Sequence, residues 1–331
     1  MLRKPGQADL ETIDDPVPTD SKVMLKVRMV GFCGSDLNSY RGLNPLVTYP
    51  RILGHEVSAT VVEDPGRTLS AGTNVSVLPY TNCGRCSSCL RGRPNACQFN
   101  QTLGVQRDGA LTEFIVLQRE KLYPANLGLK ELCLVEPLTV GFHAVARGRV
   151  TANDTVAVWG CGGVGLGVVA AACARGAHTI CIDVDEEKLE LARMAGGQLT
   201  INSNREAIHE KLLEMTEGRG PDVSIEAIGT AATFRAAVEE VAFTGRVVYI
   251  GYAKEPVSYE SRLFVQKELD IIGSRNAEPA DFEAVIRLLE AQRFPVDQAV
   301  SMVVPLEQAA DALRSWSENP SRFRKIMVNM D

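Results

Sequence analysis

Four cysteines, Cys83, Cys86, Cys89 and Cys97, fall within the stretch CGRCSSCLRGRPNAC, spaced C-x2-C-x2-C-x7-C. No other feature constrains the local fold as strongly. The spacing brings four soft thiolates within reach of one tetrahedral ion, and the Gly, Arg, Ser and Pro residues between them let the backbone curl around it. Zinc takes four such ligands in a closed, structural site. A pair of disulfides is the alternative, but loops of two intervening residues suit a metal better. No secretory leader precedes the cysteines, so the expected setting is reduced cytoplasm. A closed site holds a fold without saying what the protein does, so a second ligand set has to be sought.

The chain of 331 residues is long enough for two domains, each with its own core. Its net charge of −6, with no compensating Lys/Arg cluster, argues against nucleic acid as a partner. No apolar run approaches the ~20 uncharged residues of a membrane span, which excludes one. From Ser21 to about Tyr123 short β-branched runs (VMLKVRMVG, HEVSATVVED, TNVSVLP, LTEFIVL) are broken by Gly and Pro. They read as an all-β region of partly open barrel type. From about Thr151 strands alternate with helices: DTVAVWG, HTICIDV, PDVSIEAIG, GRVVYIGY and ELDIIGS are the strands. Continuously apolar strands alternating with helices predict a parallel sheet covered on both faces, doubly wound. The apolar GRVVYIGY is expected at the sheet edge, where an unpaired strand invites self-association. Two further helices, over about 279–291 and 305–318, and the strand-like KIMVNM are expected to pack back on the β region. The predicted division is therefore 1–124 with 274–331, and 125–273.

Within the second region, Gly160, Gly162 and Gly165 form G-x-G-x-x-G after a strand and at the opening of a helix. That context makes it a dinucleotide site: a tight turn, backbone close to a pyrophosphate, and close helix–strand packing. Asp183, about 20 residues on, can accept from a ribose 2′-hydroxyl and would repel a 2′-phosphate. Val184 follows rather than Arg, so NAD is favoured over NADP.

The β region carries further candidate ligands: Cys33 in GFCGSD, His55 and Glu56 in LGHE, and Glu136 in LVEP. Each has an ordinary reading alone, as core thiol, satisfied imidazole or helix cap. Together they offer one thiolate, one imidazole and one or two carboxylates, the mix that leaves a metal position open for substrate.

GFCGSD, GHE, the CGRCSSC…C lobe, EPLTVGFHA and GCGGVG occur in the order found in medium-chain, zinc-dependent alcohol dehydrogenases, and the chain resembles that family over nearly its whole length. It is most similar to the polyol and sugar-acid branch, which includes sorbitol dehydrogenase, threonine dehydrogenase and L-galactonate or L-gulonate 5-dehydrogenases. VLPYTNCGRC, LGVQRDG and IIGSRNAEPADF carry the likeness to the sugar-acid members. The resemblance implies an α/β protein with a GroES-like β-barrel domain and a doubly wound Rossmann domain. It implies two zinc ions and NAD. Cys33, His55 and Glu56 or Glu136 would hold the catalytic ion, Cys83, Cys86, Cys89 and Cys97 the structural one. Ser35 would begin a proton relay, although Asn38 stands where most relatives have His. Gly163, Val164, Ile228 and Gly251 would join Gly160, Gly162, Gly165 and Asp183 at the cofactor. Arg275, following the last Rossmann strand, could grip hydroxyls or a carboxylate, with Asn276, Tyr40 and Phe99 beside it. The implied reaction is hydride transfer from a secondary alcohol of a sugar acid or polyol to NAD. Neutral polyol or L-threonine oxidation, or a zinc-free relative such as a quinone reductase, are the alternatives. A homodimer or homotetramer is expected.

Overall fold

A computed structural model describes residues 1–331 as two compact units. The first comprises Met1–Pro137, Glu278–Gln292 and Val296–Asp331; the second comprises Leu138–Ala277 with Arg293–Pro295. The change of unit falls at Pro137, inside the helix Leu129–Arg147, rather than at residue 124.

In the first unit the strand Lys22–Gly31 alternates outward and buried side chains, with Val23, Leu25 and Val27 wholly buried. Period-two alternation of this kind makes one face of a sheet the core face. Seven strands run in the order Met302–Pro305, Ile326–Asn329, Lys22–Gly31, Glu56–Glu63, Asn74–Val77, Leu122–Pro124, with Phe114–Gln118 also on Lys22–Gly31. The carboxyl-terminal strand Ile326–Asn329 pairs antiparallel with Met29–Gly31. Arg28 Nε lies 3.0 Å from both carboxylate oxygens of Asp331 and ties that end down. The tail thus belongs to the β unit and carries its residues into it.

The second unit is a six-stranded parallel sheet in the order Leu199–Asn202, His178–Asp183, Thr155–Trp159, Val223–Glu226, Arg246–Tyr249, Asp270–Gly273. Two features differ from the sequence reading. Leu199–Asn202 is an additional strand, too short and too polar to announce itself. The stretch GRVVYIGY is interior, flanked by Val223–Glu226 and Asp270–Gly273; the edge on that side is Asp270–Gly273, where Ile271 is 44% exposed, and Leu199–Asn202 forms the other. Apolarity marks burial, not strand order. The order reverses beside Thr155–Trp159, which puts the switch point of the doubly wound sheet at the carboxyl end of that strand. No helix is long and apolar enough to cross a membrane.

Candidate active site

Pairing of the strands Lys22–Gly31 and Glu56–Glu63 sets Gly31 opposite Glu56. The chain leaves Gly31 through Phe32 and enters the short helix Gly34–Tyr40 at Cys33, whose backbone N–H donates to Asp36 Oδ2 at 2.8 Å. His55 precedes its strand by one residue, so sheet register delivers the thiol, the imidazole and the carboxylate to one spot. One donor atom from each of Cys33, His55 and Glu56 lies within 4.8 Å of the others. His55 is 5% and Glu56 1% exposed. A Cβ on residue 31 would sit 2.2 Å from Glu56 Oε2, so only glycine leaves space for this carboxylate.

The charges around the imidazole suit a cation. Burial alone pushes His55 down, but Asp36, Cys33 and Glu136 override it and hold His55 well above its ordinary value. Asp36 Oδ1 stands 3.9 Å from His55 Nδ1, and neither atom has a hydrogen-bond partner. A carboxylate facing the far nitrogen of an imidazole orients metal-ligating histidines. Sulfur, nitrogen and oxygen donors in one buried set, with a carboxylate 3.9 Å behind the imidazole, fit a zinc ion with an open position. Ser35 Oγ, two residues from Cys33, is shielded from solvent and has no hydrogen-bond partner.

Glu136 stands outside the set of mutually close donors. Its Oε1 accepts a hydrogen bond from the hydroxyl of Tyr80. Burial raises the carboxyl pKa of Glu136, with His55 acting against it. The carboxylate of Glu56 has a different partner: Lys325 Nζ lies 2.6 Å from both oxygens and 3.2 Å from the Phe32 carbonyl. Sequence reading missed Asp36, Tyr80 and Lys325. Asp36 lay inside GFCGSD and Tyr80 inside VLPYTNCGRC, and neither was given a role. Lys325 offered a faint signal, a cation directly before the wholly buried Ile326, Met327 and Val328.

The four-cysteine lobe gathers as its spacing predicts. All four Sγ atoms lie within 4.8 Å of one another; Cys86 Sγ is 3.5 Å from that of Cys89 and 3.8 Å from that of Cys97. Tetrahedral ligation at a Zn–S bond of about 2.3 Å needs sulfurs about 3.8 Å apart, whereas a disulfide needs about 2 Å. Backbone N–H groups of Cys83, Cys86 and Phe99 each donate to a lobe sulfur at 3.3 Å. The Ser88 hydroxyl and the amides of Cys89 and Gln98 push the Cys86 thiol down to about 5. Cys83 is lowered as well, chiefly by the Arg85 amide, whereas burial and the hydrogen bond with Cys86 push Cys89 up to about 11.

In the second unit, Gly160 has φ +92° and leads into the helix Gly163–Ala174. A Cβ on Gly165 would lie 1.8 Å from the Gly160 carbonyl oxygen, and one on Gly160 would lie 2.5 Å from Ile228 Cγ1. A Cβ on Gly162 would meet nothing within 4 Å, so this turn has an open side. Val164 follows Gly163 in the first turn of the helix. Asp183 accepts from the amides of Cys161 at 2.8 Å and Asp185 at 3.1 Å, and Lys188 Nζ stands 3.9 Å away. Gly251 is a packing glycine, its Cβ position 2.4 Å from Glu226 Oε2.

Arg275 and the left-handed Asn276 (φ 54°) follow the edge strand Asp270–Gly273 of the second unit. Tyr40 is corrected: its ring lies in the core of the first unit, 7% exposed, and its hydroxyl donates to the Gly6 carbonyl at 3.1 Å. Phe99 is 57% exposed beside the cysteine lobe.

Comparison with known proteins agrees with this geometry. The alcohol dehydrogenase GroES-like domain family matches residues 19–127, and the zinc-binding dehydrogenase family matches residues 163–291. A zinc-type alcohol dehydrogenase-like protein of Haemophilus influenzae is 33% identical, over 98% of this chain and 96% of its own. L-galactonate-5-dehydrogenase of Escherichia coli is 30% identical, over 94% of this chain and 92% of its own. The crystal structure of the alcohol dehydrogenase RspB from E. coli CFT073, complexed with NADH, superposes with a TM-score of 0.90 at 29% identity, covering 99% of this chain and 98% of that one. With both halves matched in order and the zinc-ligand chemistry in place, the chain belongs to the zinc-binding alcohol dehydrogenase family.

Proposed function

We propose that this protein oxidises a secondary alcohol of a sugar acid, of the L-galactonate or L-gulonate kind, to a ketone with NAD. The observation that carries the reading is the convergence of Cys33, His55 and Glu56 donors within 4.8 Å of one another. The likeness to an L-galactonate-5-dehydrogenase supports the substrate class. Zinc held there supplies Lewis acidity that lowers the pKa of a bound alcohol by several units, and NAD supplies the hydride acceptor.

The chain's own residues do the rest. Cys33, His55 and Glu56 would hold the ion, with the Asp36 carboxylate facing the far nitrogen of the imidazole at 3.9 Å. Ser35 Oγ, a shielded hydroxyl with no hydrogen-bond partner in the protein, would accept the alcohol proton while releasing its own onward to solvent water. The turn Gly160–Gly165 would take the pyrophosphate against the helix start, and Asp183 would accept from the ribose and disfavour a 2′-phosphate. Arg275 reads the substrate carboxylate through two parallel hydrogen bonds. The exposed edge strand Asp270–Gly273 supports self-association as a dimer or tetramer.

The test is a screen of NAD reduction over aldonates and neutral polyols, followed by NADH absorbance. Aldonates are expected as the best substrates, and Arg275→Ala is expected to raise their KM far more than that of neutral polyols. An equal effect on both would remove the sugar-acid preference, and no turnover with any secondary alcohol would overturn the reading.

A further inference from the structure

Glu226 ends the strand Val223–Glu226, between Trp159 of one neighbouring strand and Tyr249 of the other, and is wholly buried. A buried carboxylate needs hydrogen-bond donors, and this one takes them from the loop and helix that follow it. Its Oε1 accepts from the Ile228 amide at 2.9 Å, the Gly229 amide at 2.8 Å and the Thr233 hydroxyl at 2.7 Å. Its backbone carbonyl accepts from the amides of Ile250 at 2.9 Å and Gly251 at 3.2 Å, in the loop after the next strand. One residue thus ties together the loops that leave two adjacent strands. Ile228 is 46% exposed, yet a Cβ on Gly160 would lie 2.5 Å from its Cγ1, so this side chain rests against the start of the glycine turn.

Resting on the cofactor reading above, we propose that Glu226 is a positioning residue for the dinucleotide. Through the amides of Ile228 and Gly229 it holds the Ile228 side chain against Gly160, so that this wall of the glycine turn stands before the cofactor arrives. The physical reason is ordering entropy. A loop whose backbone is not fixed must be ordered on binding, and that cost is taken from the affinity. Hydrogen bonds to a carboxylate are stronger than neutral ones, and three on a single oxygen leave the loop little freedom. The second oxygen, Oε2, is buried and accepts nothing; a Cβ on residue 251 would lie 2.4 Å from it, so Gly251 makes its room. Glutamine would keep an acceptor for the three donors and set its nitrogen in the Oε2 place, where no donor opposes it.

The experiment titrates NADH by fluorescence against the wild type, Glu226→Gln, Glu226→Met, Ile228→Ala and the Glu226→Met/Ile228→Ala double variant. Amide hydrogen exchange is measured beside it on the cofactor-free wild type. Glu226→Met fills a similar volume but accepts no hydrogen bond, and it is expected to weaken NADH binding about thirtyfold. Glu226→Gln should stay within about threefold of the wild type, because the amides keep their acceptor. In the Ile228→Ala background the methionine change should cost no more than about twofold further, since the wall it would release is already gone. In the cofactor-free wild type the Ile228 and Gly229 amides should exchange slowly for loop residues. The inference is overturned if Glu226→Met binds NADH as the wild type does, if Glu226→Gln is as weak as Glu226→Met, or if the full loss persists without the Ile228 side chain. It is equally overturned if those two amides exchange as fast as exposed ones, a measurement that needs no variant to fold. A wild type that binds no NADH would instead overturn the cofactor reading itself.

Discussion

Lys325→Met is the sharpest probe of how the first unit balances its buried charges. The pair it breaks is almost solvent-free, with Lys325 7% and Glu56 1% exposed, and the ammonium reaches both carboxylate oxygens at 2.6 Å. Burial pushes Lys325 down, but Glu56 and Cys33 outweigh it and hold the ammonium above its ordinary value. Methionine fills much of the same volume and carries no charge. Removing one member of a buried pair leaves the other uncompensated, at a cost of about 3–5 kcal/mol. That cost should fall on the zinc-depleted protein. When zinc is present, the same Glu56 oxygens face a doubly charged ion and the lost ammonium matters much less. By linkage, zinc affinity in the variant should then rise by about 10²–10³-fold, at 1.4 kcal/mol per tenfold. Competition titration against a chelator measures the affinity. Thermal unfolding of zinc-depleted and zinc-loaded samples measures the stability difference. If Lys325→Met destabilises both forms equally and leaves zinc affinity unchanged, Lys325 and the ion do not share Glu56, and the placement of the metal at that carboxylate is wrong.

Cys33→Ser should lower the zinc content from two ions per chain to one and abolish turnover while far-UV circular dichroism stays unchanged; near-full activity would refute its assignment. Cys89→Ser should also leave one zinc, but here the loss should open the lobe to proteolysis, because a closed zinc site contributes folding energy outright. Gly165→Ala places a Cβ 1.8 Å from the Gly160 carbonyl oxygen and should weaken NADH binding at least about tenfold, read by fluorescence titration. Asp64 is held well below the usual carboxylate range chiefly by its hydrogen bonds from Arg119. A depressed folded-state pKa gives stability that is present above the unfolded value near 3.9 and is lost as pH falls through the folded one. Asp64→Asn should therefore flatten the acid limb of the unfolding midpoint below about pH 4, while leaving zinc content untouched.

Much of this architecture was legible along the chain because its determinants are local. The cysteine spacing works within one loop, since ligands three and eight residues apart can meet around an ion without knowledge of the rest of the fold. The glycine turn is equally local: the steric clash that forbids a side chain at Gly165 is with Gly160, five residues away. The alternation in Lys22–Gly31 and the apolar strands of the second unit follow from side-chain periodicity alone. Even Cys33, His55 and Glu56 could be proposed as a set from their chemistry, although nothing in their separation required them to meet.

What tertiary structure decided is everything carried by register and return. Lys325 reaches Glu56 across 269 residues because the last strand comes back to pair beside Lys22–Gly31. Tyr80 reaches Glu136 across 56 residues, and that contact separates two carboxylates that look equivalent as letters. The interior place of Arg246–Tyr249 and the commitment of Tyr40 to the core were invisible for the same reason. Sequence determines which groups can bind an ion or bury a face, because that depends on side-chain chemistry and short-range sterics. Which of several suitable groups does so depends on distances that only the folded sheet sets.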